Sequence, residues 1–247
     1  LKAIFTQADR LGYYSATLYD LLNIPTLECW TTLSALAAVT ERIRLTPMVL
    51  ANLYRPPALL AKMSATLDVI SGGRLELGIG AGGGRTDHLA SGIPFPSTSQ
   101  RVDMLEEAVE LIKRLWAEDK VDFSGRYYRL KQASVQPASV QKPHPPVFLG
   151  GAATNVFKRV VTYGDGWMPV RATLDSVRAG RASLDELADA AGRDPKSIQI
   201  LIYGASSRDE IKQMEDAGAD MATVRLASTA PGEAISGLER LAEEMLG

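Results

Sequence analysis

The chain has 247 residues, 46% of them hydrophobic and 23% charged, which is the make-up of a globular protein. Its 27 Lys plus Arg nearly balance 29 Asp plus Glu and form no basic stripe, so composition argues against a nucleic-acid partner. No apolar run reaches ~18 residues, which argues against a membrane span, and the two histidines and single cysteine offer no metal-ligand spacing.

Leu1 opens directly into a helical pattern, which leaves no secretory segment in the reading. A first helix over Ala3–Leu11 is expected to stop at Gly12, and Tyr14–Tyr19 then reads as a strand. Leu27–Thr40 reads as a helix carrying Cys29, whose solitary thiol excludes an internal disulfide and points to the cytoplasm. Ile43–Leu50 is strand-like. A helix begins at Pro56-Pro57 and ends at Gly72-Gly73, with Leu59, Leu60, Met63, Leu67 and Ile70 on one face. Arg74–Gly80 is the next strand, Arg101–Trp116 an amphipathic helix, and Val121–Leu130 a hairpin turned at Ser124-Gly125. Strands at Val147–Leu149, Trp167–Val170, Ile198–Tyr203 and Met221–Leu226 then alternate with helices at Asn155–Tyr163, Leu174–Ala191, Asp209–Ala217 and Glu233–Leu246.

Strand–helix alternation of this kind signals a parallel sheet, and residues 1–247 read as one domain. The reading contains seven barrel strands and eight helices and begins with a helix. A (β/α)8 barrel should begin with a strand, so its first strand is expected upstream of Leu1. An open, doubly wound sheet and a mixed α+β fold are the alternatives.

In barrels and doubly wound sheets alike, ligands bind at the carboxyl ends of the strands. That rule sends Asp20, Met48–Arg55, Gly80–His88, Gly150–Thr154, Trp167–Arg171, Gly204–Ser207 and Arg225–Thr229 to the active face, and His144 to the opposite one. The run Gly78-Ile79-Gly80-Ala81-Gly82-Gly83-Gly84 contains a G-x-G-x-x-G spacing. The next helix is expected some seventeen residues later, which rejects a dinucleotide fingerprint and leaves a tight turn or a close approach to a flat ligand. By contrast, Gly150-Gly151-Ala152-Ala153-Thr154 should run straight into a helix, where backbone amides suit an anion and Thr154 can cap the helix.

Three segments, Tyr54–Lys62, Ala65–Arg74 and Leu77–Gly82, strongly resemble the luciferase-like flavin-dependent oxidoreductases. Trp30–Leu33, Ala35–Thr40, Pro145–Val147 with Gly150-Gly151, and Gly164–Trp167 recur in the family's order along nearly the whole chain. The resemblance implies a (β/α)8 barrel that binds FMN or the deazaflavin coenzyme F-420. Its sub-pattern looks most like the F-420 branch. It places a cis non-proline peptide at Met48-Val49, against the ring, and the coenzyme phosphate by the Gly150–Thr154 loop. Gly82, Gly83 and Thr86 would meet the ring's edge.

Asp20 matches the acid of an Asp-His pair common among relatives, but Leu21 stands where the histidine would be. The acid/base residue is therefore undefined, with Asp20 and His88 as candidates. The expected function is hydride transfer between F-420 and a small organic substrate. An FMN-dependent monooxygenase is the alternative, and a non-catalytic flavin-binding barrel is the alternative from another class. A lyase or isomerase barrel would need a Lys or Glu on the active face, and those segments contain neither. A homodimer is implied by the resemblance alone.

Overall fold

The computed structural model describes residues 1–152, 155–205, 207–226 and 230–246. Its elements run α1 (Lys2–Leu11), β1 (Ser15–Leu18), α2 (Cys29–Ala37), β2 (Arg44–Pro47), β3 (Leu50–Ala51), a 3-10 turn (Asn52–Tyr54), α3 (Pro57–Ser71), β4 (Leu77–Gly80), α4 (Arg85–Ala90) and α5 (Thr98–Ala117). A hairpin of β5 (Val121–Ser124) and β6 (Arg129–Ala133) follows, then β7 (Val147–Gly150), α6 (Asn155–Tyr163), β8 (Gly166–Met168), α7 (Leu174–Ala190), a second 3-10 turn (Pro195–Ser197), β9 (Gln199–Ala205), α8 (Arg208–Asp216), β10 (Met221–Val224) and α9 (Pro231–Leu246).

Local chemistry explains the boundaries. Gly12 and Gly72 end α1 and α3 with φ of 88° and 67°, a left-handed backbone that glycine adopts without penalty. Ser97 with Gln100 and Thr173 with Ser176 form reciprocal caps that start α5 and α7. The Ser97 cap places the start of α5 before the expected Arg101. The expected Ile43–Leu50 strand is broken into β2 and β3 at Met48-Val49, whose peptide bond is cis, where the resemblance places one.

All sheet pairings except the hairpin's are parallel. One run has the order β10-β9-β8-β7-β4-β3, and β1 pairs with β2. A bridge from Leu45 to Leu75 joins β2 to the chain entering β4, so β2 and β3 make one broken lane. This is the (β/α)8 barrel fold with seven strand lanes among the described residues. Among those residues no pairing joins β1 to β10; there α1 packs on α9, with the Tyr13 hydroxyl donating to the Leu238 carbonyl at 2.8 Å.

Alternation along the strands separates two apolar layers. Ile79, Val147, Leu149, Ile200 and Ile202 face the helices, while Phe148, Met168 and Leu201 meet Met48, Val49 and Met221 inside the barrel. The base of the interior is polar. Buried Glu76 accepts from Arg44 Nε at 2.6 Å, Thr46 Oγ1 at 2.7 Å and Tyr14 Oη at 2.9 Å, binding β1, β2 and β4 together at their amino ends. Burial, and after it the charge of Glu76, pushes the Tyr14 phenol up to about 12.

Gly78 sits where β2 and β4 come closest, and a Cβ there would stand 2.0 Å from the Pro47 carbonyl oxygen. Gly83 differs, with nothing within 4 Å of its Cβ position. Gly78→Ala is expected to cost about 3 kcal/mol in urea denaturation by forcing these strands apart. Gly83→Ala should stay within about 0.5 kcal/mol. Equal costs for the two would show that close packing at Gly78 does not constrain the lane.

Candidate active site

At the carboxyl ends of the strands a pair of carboxylates anchors the chain. Asp20, just past β1, is 4% exposed and takes a bidentate pair from Arg55 at 2.8 and 2.9 Å. Its Oδ2 also accepts the Ala51 amide at 3.0 Å, fixing the strand just beyond Met48-Val49. Arg55 reaches on to Glu28 at 2.7 Å, and Glu28 caps α2 by accepting from the Trp30 and Thr31 amides. Burial alone would lower the Arg55 guanidinium; bonding to Asp20 and the charges of Asp20 and Glu28 outweigh it and raise it above its ordinary value. Both Asp20 oxygens are engaged in these bonds, so Asp20 orients the backbone.

The second carboxylate, Asp87 on α4, accepts from the Leu22 amide at 3.1 Å, the Asn23 amide at 2.6 Å and the Tyr54 hydroxyl. It ties the segment after Asp20 to the 3-10 turn. Burial works to raise this carboxyl, but the Tyr54 hydroxyl and the two amides outweigh it and hold it below 3.8.

His88 departs from its expected place as an open acid/base or substrate contact: it is fully buried. Its Nδ1 lies 2.8 Å from the Gly84 carbonyl, and its ring is enclosed by Tyr54 and Phe95 at 4.7 and 4.8 Å. Nε2 faces Gly82 and has no hydrogen-bond partner. Arg101 holds the same loop by donating to the Gly82 carbonyl at 3.2 Å, its guanidinium 3.8 Å above the Phe95 ring. The glycine run also opens directly into a helix, α4, contrary to the expected seventeen-residue gap. The dinucleotide reading fails instead on the sheet order, which runs as a barrel.

Met48 and Val49 are half-buried between these two clasps and the glycines of β4 and β7. Val49 requires glycine at Gly150, where a Cβ would lie 2.6 Å from its Cγ2. The next residue, Gly151, is oriented by the Trp167 indole, which donates to its carbonyl at 2.8 Å. Gly151 and Ala152 lie open beside the start of α6; Ala153 and Thr154 lie outside the described residues. Gly82, Gly83 and Thr86 border the same mouth, with Gly83 and Thr86 exposed. Asp20, Met48, Val49, Gly82, Gly150 and Gly151 are thus drawn to one end of the barrel. His144 lies at the other end, its Nδ1 2.9 Å from the Pro145 carbonyl.

Sequence reasoning put Arg55 on the active face but missed its pairing with Asp20, and it missed Arg101 and the Tyr54–Asp87 bond, because the partners lie far apart in the chain. It also passed over the charge of the rim. Arg85, Arg171 and Arg225 follow β4, β8 and β10, are exposed, and make no ion pair among the described residues. No group of three His, Cys, Asp or Glu side chains suited to a metal ion occurs among the described residues.

Because Asp87 titrates below its unfolded value, its bonds add stability above pH ~4, and this is lost as pH falls through the folded value. Tyr54→Phe is therefore expected to cost about 1.5–3 kcal/mol at pH 7 and much less near pH 2, measured by urea denaturation. A cost independent of pH would refute the charged bond. Arg55→Ala leaves Asp20 buried without its cation and should cost about 3–5 kcal/mol at pH 7.

The luciferase-like monooxygenase family model matches residues 1–236. An uncharacterised protein of Mycobacterium tuberculosis is 31% identical over 195 residues, which is 78% of this chain and 66% of that protein, just under two thirds of its length. The FMNH2-dependent dimethylsulfone monooxygenase of Pseudomonas putida is 32% identical over 156 residues, 60% of this chain and 43% of that enzyme. Among solved structures, an F420-dependent secondary alcohol dehydrogenase in complex with an F420-acetone adduct superposes with a TM-score of 0.86 at 20% identity, covering 99% of this chain and 93% of that chain. With strand order, mouth geometry and motif series in agreement, the chain belongs to the luciferase-like monooxygenase family.

Proposed function

We propose that this chain is an oxidoreductase that moves hydride between the deazaflavin coenzyme F-420 and a small organic substrate. The observation that carries the reading is the mouth itself. Half-buried apolar Met48 and Val49 and the small residues Gly82, Gly83, Gly151 and Ala152 share this end of the barrel with exposed Arg85, Arg171 and Arg225, which make no ion pair among the described residues. Both F-420 and FMN join a flat ring to an anionic tail, which suits that charge. The preference for F-420 rests on the Tyr54–Lys62 and Ala65–Asp68 segments, and the fold shared with an F420-dependent alcohol dehydrogenase supports it. The FMN-dependent relative supports the monooxygenase alternative.

In this reading Met48 and Val49 would back the ring, and the Gly82–Gly83 loop, braced from below by His88 and Arg101, would lie along its edge. The amides of Gly151 and Ala152, beside the start of α6, would meet the phosphate. Arg85, Arg171 and Arg225 would draw in the remaining charge. The coenzyme supplies the hydride chemistry, while the residues around it bind, orient and exclude water. Asp20 would hold Ala51, and through it the backing strand, in place.

A homodimer is part of the proposal. The outer surface of α2 and α3 supports it, since α2 has no charged residue and Leu59, Val69 and Ile70 on α3 are exposed. Sedimentation should give a dimer, and a monomer would end this part of the reading.

Fluorescence titration of the purified protein with F-420 and with FMN is the direct test. F-420 should bind, with affinity falling as salt rises. Arg171→Ala or Arg225→Ala should weaken binding about tenfold and flatten the salt dependence. Tight FMN binding without F-420 binding would move the assignment to the monooxygenase. F-420 binding without coenzyme oxidation by any aldehyde, alcohol or enone would favour a non-catalytic barrel.

A further inference from the structure

Two tyrosines, Tyr19 and Tyr203, meet at the mouth. Tyr19 lies one residue past β1, whose pairing runs to Leu18 opposite Pro47, so it reaches the level of Met48 in the neighbouring lane. Ser15, two alternations earlier, bonds Thr46 inside the barrel at 2.6 Å, so Tyr19 shares the inward face. On β9, Leu201 belongs to the interior cluster while Ile200 and Ile202 face the helices, so Tyr203 also faces inward. The two rings meet edge to face at 5.4 Å. They are not sealed in: Tyr19 is 41% and Tyr203 38% exposed, in contrast to the buried His88.

The surrounding charges suit a neutral phenol. Burial first, then the hydroxyl and charge of Tyr203, push the Tyr19 phenol above 10, and Arg225 beyond β10 works in the opposite direction. Asp20, its chain neighbour, is taken up by Arg55 and Ala51. Tyr19 is therefore a hydrogen-bond donor at neutral pH, with a second phenol and a cation nearby to share a charge left on it. Among the described residues the other candidate acids at the mouth are taken up: Leu21 follows Asp20, Asp87 is engaged and His88 is buried.

We propose that the Tyr19–Tyr203 pair is the oxygen-binding end of the substrate site, hydrogen-bonding a substrate carbonyl or alcohol oxygen and carrying its proton; this rests on the hydride-transfer reading above. For a carbonyl substrate, the bound reduced coenzyme would supply hydride to the carbonyl carbon as the C=O π bond breaks. The oxygen takes the Tyr19 phenolic proton. Tyr203 then donates to the Tyr19 phenolate, whose charge also lies near Arg225, and solvent restores the proton. In alcohol oxidation each transfer runs backwards, with the oxidised coenzyme accepting hydride. The substrate class is a small neutral aldehyde, ketone or alcohol.

The test reads the bond to oxygen without turnover. The carbonyl stretch of 13C-labelled acetone, cyclohexanone and acetophenone would be recorded by infrared difference spectroscopy on the wild type, Tyr19→Phe, Tyr203→Phe and the double variant. A shift to lower frequency is expected in the wild type for at least one probe, reduced in each single variant and absent in the double variant. F-420 affinity and the urea midpoint should be unchanged, and turnover should fall about 100-fold or more in the double variant. A shift that survives in the double variant, or no shift with any probe in the wild type, overturns the proposal. Failure of the wild type to bind F-420 or FMN is separately visible; it removes the hydride-transfer reading and overturns the proton-transfer step even where the infrared shift appears.

Discussion

The site depends on the Asp20–Arg55 ion pair. Asp20 and Arg55 are 35 residues apart, and their bidentate contact is almost wholly shielded from water. In that setting an unpaired charge is far costlier than in solvent, so neither partner can leave without the other. Around the pair hang three pieces of backbone. Asp20 receives the Ala51 amide, Arg55 reaches Glu28, and Glu28 caps the helix that begins at Cys29. One buried contact therefore sets the end of β1, the strand after Met48-Val49 and the start of α2. Both Asp20 oxygens are occupied by Arg55 and Ala51, which makes it a positioning residue.

The same logic separates the other titratable groups by role. Asp87 is occupied by two amides and a phenol, and His88 lies under the glycine loop it braces. Arg101, buried without a carboxylate partner, spends its donors on the Gly82 and Pro96 carbonyls and its face on Phe95. These groups rigidify the mouth. In the proposed reaction that rigidity would serve the bound coenzyme, because hydride transfer depends steeply on the distance and angle between donor and acceptor.

The sequence made the frame legible because the frame is written in local signals. Gly12 and Gly72 mark helix ends, Pro57 a helix start, and the branched apolar runs the strands. The short helix Arg85–Ala90 escaped notice because its start, Gly84, makes no side-chain cap and its six residues are too few for an apolar period to show. His88 looked available because its position in a loop after a strand says where its backbone lies, not that Tyr54 and Phe95 close over it. The break at Met48-Val49 was placed by likeness to other sequences, since no local pattern distinguishes it from continuous strand.

Tyr19 and Tyr203 illustrate the limit most directly. They are 184 positions apart in sequence, and neither stands in a recognisable motif. Each faces the barrel interior only because of the register of its own strand, and they meet only because both strands end at one mouth. Register is a cooperative property: a one-residue slip of β1 would turn Tyr19 outward and bring Leu18 inward. The polar floor resists that slip, because Ser15 and Thr46 bond each other and Thr46 bonds Glu76. A buried carboxylate at the amino ends of the strands thus fixes which side chains appear at the carboxyl ends, so the chemistry offered at the mouth is set in part by contacts at the opposite end of the barrel.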